Sequence, residues 1–120
     1  SISAYNMVQE RESLAEEIDR LRARLSEFGI ALDRLSEICP KQKRSRALCI
    51  RLAQETVTDE VLSRALLHHQ RLSVGALARR FEISEKTVEK HRKYVVTIAL
   101  ILSGDFPGIQ AFLPDTGEVM

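Results

Sequence analysis

Residues 72–92 read LSVGALARRFEISEKTVEKHR, and the order of capping and apolar residues along them decides the fold. Ser73 is placed to cap a short helix running through Arg80, Phe81 to Ile83 to make a tight connection, and Ser84 to cap a second helix. A serine at such a position accepts a hydrogen bond from an otherwise unpaired N–H of the first turn. Glu85, the first residue of the second helix, suits the positive end of its dipole. Two capped helices joined by about three or four residues make a helix-turn-helix. Leu77, Ile83 and Val88 would form its apolar keystone, with Ala78 as the small contact where the helices cross. Gly75 falls inside the first helix, where it costs about 1 kcal/mol relative to Ala, and the sequence offers no reason for it.

Working outward, no Gly or Pro lies between Ile83 and Leu102, so the second helix is predicted to run unbroken from a charged first half into the apolar stretch Tyr94–Leu102. Such a rod would thread the core and hold its charged end rigidly at the surface. With Val88 inward, helical periodicity places His91 or Arg92, then Val95, Ala99 and Leu102, on the same side. Glu85, Lys86, Glu89, Lys90 and Lys93 then face outward, from the part of a helix-turn-helix that enters a major groove. Lys86 and Lys90 can donate to guanine edges and Glu89 can accept from cytosine N4. Two glutamates beside a duplex argue for discrimination, because a surface built only to attract phosphate would avoid them. Arg71, Arg79, Arg80 and Arg92, with the hydroxyls of Ser73, Ser84 and Thr87, are placed as phosphate contacts that set register. The bland alternative is a helical hairpin with a solvated charged face.

Upstream, Met7, Leu14, Ile18, Leu21, Leu25 and Phe28 make a helical seam that stops at Gly29, a residue suited to a left-handed cap. A coiled-coil dimer would use the same seam, but Arg11 interrupts it, which favours packing on the chain itself. IALDRLSEICP (residues 30–40) gives a short second helix with Leu32, Leu35 and Ile38 inward, ended before Pro40. KQKRSRALCIRLAQETV (residues 41–57) starts basic and becomes amphipathic, with Leu48, Ala53 and Val57 as core positions. Thr58, followed by Asp59 and Glu60, reads as the N-cap of a helix through Leu66. His68 and His69 lie near its end and read as capping or surface residues rather than metal ligands.

The chain has 120 residues, 44% hydrophobic and 29% charged, with five Gly and three Pro: little turn material for a β fold. The expectation is a single all-α, compact multi-helix domain spanning residues 1–120, with five to six helices and a C-terminal helix-turn-helix whose recognition helix continues into the core. Because it begins at Ser1, it reads as a fragment of a longer chain. No secretory signal is visible, and the longest apolar run is too short to span a membrane. Cys39 and Cys49 lack the spacing of a disulfide framework or zinc site and read as reduced, buried thiols. The net charge of +1 conceals a basic middle: residues 38–70 hold six bases against three acids and residues 71–93 seven against three, between acidic flanks. That block suggests a polyanion-facing surface. No glycine-rich phosphate loop, convergent carboxylates or nucleophile with a base appears, so neither catalysis nor a cofactor, metal or small-molecule substrate is expected.

ISEKTVEKHR (residues 83–92) resembles the recognition region of LuxR-type transcription effector domains, where Ser-x-x-Thr-Val-x-x-His is frequent. A wider pattern covers nearly the whole chain. EFGI (residues 27–30), CPKQKRSRALCIRLAQ (residues 39–54) and RLSVGALARRFEISEKTVEKHRKYVVTIALILSGDFPGI (residues 71–109) resemble the carboxy-terminal domain of sigma-I (SigI) alternative sigma factors of Gram-positive bacteria. The apolar continuation and GDFP separate this pattern from LuxR domains. The resemblance implies a cytoplasmic, region-4-like domain that reads double-stranded promoter DNA at the −35 element, works with RNA polymerase core and is restrained by the cytoplasmic segment of a membrane-anchored anti-sigma factor. Glu85 departs from the basic residue expected soon after the capping Ser, which leaves the base preference open. A module that chiefly binds the anti-sigma segment is the competing reading.

Overall fold

The computed structural model describes residues 2–113, with side chains from Ser13 onward; Met7 and Arg11 of the amino-terminal seam therefore lie outside the described side chains. The described residues are all-α: α1 Ile2–Ser26, a 3₁₀ turn Leu32–Arg34, α2 Leu35–Ile38, α3 Lys43–Thr58, α4 Glu60–His69, α5 Val74–Phe81, α6 Glu85–Lys90, α7 Arg92–Ser103 and α8 Pro107–Gln110. Eight α-helices replace the expected five to six, because the expected rod is two helices and Pro107 starts a helix that periodicity does not reveal.

At the centre α7 lies along α3 and also meets α1, α2 and α8. Every residue of α7 from Tyr94 to Ile101 is buried, Thr97 included. Thr97 can be buried because its hydroxyl donates to the Lys93 carbonyl at 2.8 Å, leaving no polar group unpaired. Each fully buried Val, Ile or Leu here contributes about 1.5–3 kcal/mol. Of the expected core positions on α3, Ala53 is fully buried and Leu48 and Val57 are half-buried against the core; the rest of the buried face is Ala47, Cys49, Ile50, Leu52 and Thr56. The Thr56 hydroxyl donates to Leu52 O at 2.8 Å, so this polar residue serves as a core residue. Both cysteines are free thiols; Cys49 is buried, whereas Cys39 is only half-buried. Burial, with Cys39 nearby, pushes the Cys49 thiol up to about 12, far from the thiolate form that reacts.

The seam of α1 packs on the chain itself, with Leu21 and Leu25 buried and Leu14, Ile18 and Phe28 half-buried. It ends in a Schellman turn: Gly29 sits at φ +72°, its N–H donates to Ser26 O at 3.0 Å, and the Ile30 N–H donates to Leu25 O at 3.0 Å. The helix cap expected at Thr58 belongs instead to Asp59, whose Oδ1 accepts from the N–H groups of Val61 and Leu62 at 2.9 and 3.0 Å. Thr58 ends α3 and donates its hydroxyl to Gln54 O. His68 and His69 are exposed, and α4 is closed by the left-handed backbone of Gln70.

The segment after α7 closes back on the first helix. Glu17, 4% exposed, accepts from the N–H groups of Gly108 and Ile109, both at 3.0 Å. A Cβ at Gly108 would lie 2.9 Å from Glu17 Oε2, so the carboxylate would have to shift off its two donors. At Gly104 the approach is closer, since a Cβ would fall 2.5 Å from the buried Phe106 ring. Arg20 lies 5.1 Å over that ring and donates to Asp105 O at 2.9 Å. GDFPG is thus a clasp joining both ends of the described fold.

Candidate nucleic-acid interface

Helices α5 and α6 are packed together through Leu77, Ala78 and Val88, all buried, with Ile83 half-buried beside them. The connection is Glu82 to Ser84, one residue later than expected, since α5 includes Phe81. Glu82 closes α5 at φ +55°, and the Ile83 N–H returns to Ala78 O at 3.0 Å. A side chain in this left-handed region costs about 1–2 kcal/mol. Glu82→Gly is therefore expected to raise unfolding stability by up to about 1 kcal/mol after allowance for unfolded-state entropy, read as a shift in the urea midpoint.

Ser84 caps α6 as expected: its Oγ accepts from the Thr87 N–H at 3.1 Å and lies 2.9 Å from the Thr87 hydroxyl. Ser73 occupies the cap position of α5 but makes no side-chain cap bond; the backbone there is at ψ 72°, outside the extended geometry that aims a serine at the first turn. A Cβ on Gly75 would meet the side-chain ends of Arg79 and Glu85 at 3.4 Å, so no close approach requires glycine there.

The expected single rod is broken at His91. Its φ of −106° and ψ of 12° leave the helix, its N–H reaches back three residues to Val88 O, and its carbonyl accepts from Val95 to start α7. The two halves have different partners, α5 for α6 and α3 for α7, and the break lets each follow its own. His91 is half-buried in this corner; burial first, then the charge of Lys90, lowers its pKa from the usual imidazole range.

Glu85, Lys86, Glu89, Lys90 and Lys93 are all exposed, and none is in an ion pair among the described residues. Arg71 and Arg79 are exposed and Arg92 half-buried, likewise unpaired. Arg80 is the exception among the expected phosphate contacts. Its Nη1 donates to Glu55 Oε2 at 2.7 Å and Asp59 Oδ2 at 2.8 Å, tying α5 to the α3–α4 corner. With two carboxylates on it, Arg80 is a structural tie. The backbone bonds from α4, with Arg80 second, hold Asp59 below the usual carboxylate range.

Two grooves border the α5–α6 unit. One, of about 1340 Å³, runs between α3 and the end of α5 and is lined by Lys43, Arg44 and Arg51, by Glu55 and Glu82, and by the apolar Leu48, Phe81 and Ile83. The other, of about 510 Å³, separates the Pro40–Lys41 turn from the junction of α6 and α7. Lys41, Lys43, Arg44 and Arg51 are basic residues beyond those expected at the interface; the basic excess of residues 38–70 signals them without indicating which face they occupy. Among the described residues no group of His, Cys, Asp and Glu side chains could hold a metal ion, and no helix is long and apolar enough to cross a membrane.

No family model matches the chain. It is 31% identical over 113 residues to RNA polymerase sigma factor SigI of Bacillus subtilis, a match covering 94% of this chain and 45% of that protein. It is 30% identical over 106 residues to RNA polymerase sigma factor SigI2 of Acetivibrio thermocellus, covering 88% of this chain and 40% of that one. SigI1 of the same organism is 35% identical over 86 residues, or 72% of this chain and 34% of that protein. The chain thus spans less than half the length of these relatives, all named as sigma factors and none as an enzyme. Similarity that runs through the seam, the α5–α6 unit and the core helix makes the chain a domain of the SigI-type sigma-factor family.

Proposed function

We propose that this domain reads the −35 element of a promoter as part of an alternative sigma factor that directs RNA polymerase core in the cytoplasm. The observation that carries the reading is the charged face of α6. Two lysines and two glutamates are exposed on a helix that fully buried Val88 fixes to the core, and Lys93 is exposed just past the break, in the first turn of α7. Similarity to proteins named as sigma factors supports it. In this reading Glu85, Lys86, Glu89, Lys90 and Lys93 meet base edges, while Arg71, Arg79, Arg92 and the Ser73, Ser84 and Thr87 hydroxyls meet phosphates.

The test compares binding of the promoter duplex with that of a scrambled duplex over a range of salt. Specific binding that weakens linearly in log–log form with salt is expected. Glu89→Ala should narrow the ratio between the two duplexes by about 1–3 kcal/mol at one base pair rather than weaken both equally. Equal affinity of the unaltered protein for the two duplexes would overturn the reading.

The family resemblance also implies an anti-sigma partner. The larger groove, lined by apolar side chains and by more cations than carboxylates, is suited to an acidic amphipathic segment. A pull-down with the anti-sigma cytoplasmic segment, repeated with duplex as competitor, distinguishes a separate surface from a shared one.

A further inference from the structure

We propose that the turn at Lys41 is a second arm of the DNA site, which holds a sugar-phosphate strand in the cleft between this turn and the end of α6. The inference rests on the reading of α6 as the DNA-facing helix and adds a contact outside the α5–α6 unit. The cleft of about 510 Å³ carries four cations, Lys41, Lys90, Arg92 and Lys93, against the carboxylates of Glu37 and Glu89. Glu37 is already partnered by Arg34 at 3.8 Å. None of the four cations is in an ion pair among the described residues. Four cations against two carboxylates leave a local positive excess, which a polyanion seated there offsets.

The placement of Lys41 is built rather than incidental. Pro40 is buried, and Arg46 donates from Nη1 to the carbonyls of both Pro40 and Lys41, at 2.9 and 2.8 Å. The turn is therefore fixed from behind while the Lys41 side chain is exposed. A duplex that brings base edges to Lys90 and Lys93 carries its backbone past this cleft, so the occupant is that same duplex. A lysine there supplies charge to phosphate without reading sequence.

The test is anisotropy titration of Lys41→Ala and Lys41→Glu with promoter and scrambled duplexes, from about 50 to 200 mM salt. Lys41→Ala is expected to weaken binding to both duplexes alike, by about three- to tenfold, and to lower the salt slope by about 0.9; Lys41→Glu should weaken it further. Far-ultraviolet circular dichroism should be unchanged, because Lys41 is exposed. If both variants keep the affinity and salt slope of the parent while Lys90→Ala weakens binding, the second arm is wrong and the reading of α6 stands. If Lys90→Ala also has no effect, the inference falls together with that reading. A loss confined to the promoter duplex would likewise overturn the proposal, since it would make Lys41 a base contact.

Discussion

Removing Lys86, Lys90 and Lys93 together by alanine substitution is expected to lower promoter affinity by at least about a hundredfold and to abolish promoter-directed transcription by the full-length factor. Each lysine is exposed, and none is tied to a carboxylate among the described residues, so little folding energy rests on it. Exposed substitutions away from such ties usually change stability by less than about 0.5 kcal/mol. The loss would therefore appear in binding and not in the unfolding midpoint. A good bidentate base contact is worth about 1–3 kcal/mol of discrimination, and each neutralised phosphate adds about 0.9 to the salt slope. Three such losses compound, and the remaining basic residues leave only weak sequence-independent attraction. Promoter activity equal to that of the parent would reject the assignment of α6 as the reading helix. An affinity loss that disappears at low salt for both duplexes would instead make the lysines phosphate contacts.

Glu17→Ala is expected to cost about 2–4 kcal/mol of unfolding stability, although Glu17 lies among the charged residues of α1 and looks like surface. Its carboxylate is the acceptor for two backbone N–H groups at the start of α8, and truncation leaves both part-buried donors without it. Gly108→Ala should damage the same clasp from the other side, because its Cβ would sit 2.9 Å from Glu17 Oε2. A double-mutant cycle separates this account from a general loss of packing. With Glu17 already truncated, most of the clash is gone, and Gly108→Ala should cost clearly less than in the parent. Additive losses in the urea midpoint would show that the two residues do not act through one contact. The Leu14 methyl, 3.3 Å from the same Cβ, would account for a small residual cost.

What the sequence conveyed well was local and redundant. The Ser84 cap, the Val88–Leu77 keystone, the Gly29 stop and the α1 seam are each signalled by residue type and spacing together. The errors lie where one signal was missing or ambiguous. Thr58 and Asp59 are both good caps, and only coordinates show which oxygen faces the first turn of α4. On α3, Thr56 is a core residue that residue type alone does not signal: its hydroxyl bonds within its own helix and leaves the methyl side for the core. The break at His91 has no local cause such as Gly or Pro; it comes from two packing partners that a periodicity reading of one segment cannot include. The clasp was the largest omission, since a buried carboxylate paired with backbone from the far end of the chain leaves no mark in local pattern. For the interface, spacing predicted which side chains leave α6 on one face. It did not predict that Arg80 would be drawn off by Glu55 and Asp59, nor that Lys41 would be carried beside Lys90 and Lys93.

The clasp has a consequence for the order of assembly. Its bonds join residues 91 and 92 positions apart, among the most distant pairs the chain can make. Contacts of such separation are entropically late, because the intervening loop must be closed before they return any energy. During synthesis α1 emerges well before Ile109 and stays unlocked until that residue has followed it out of the ribosome, so a translation stall between the two would leave a nascent chain open to proteolysis.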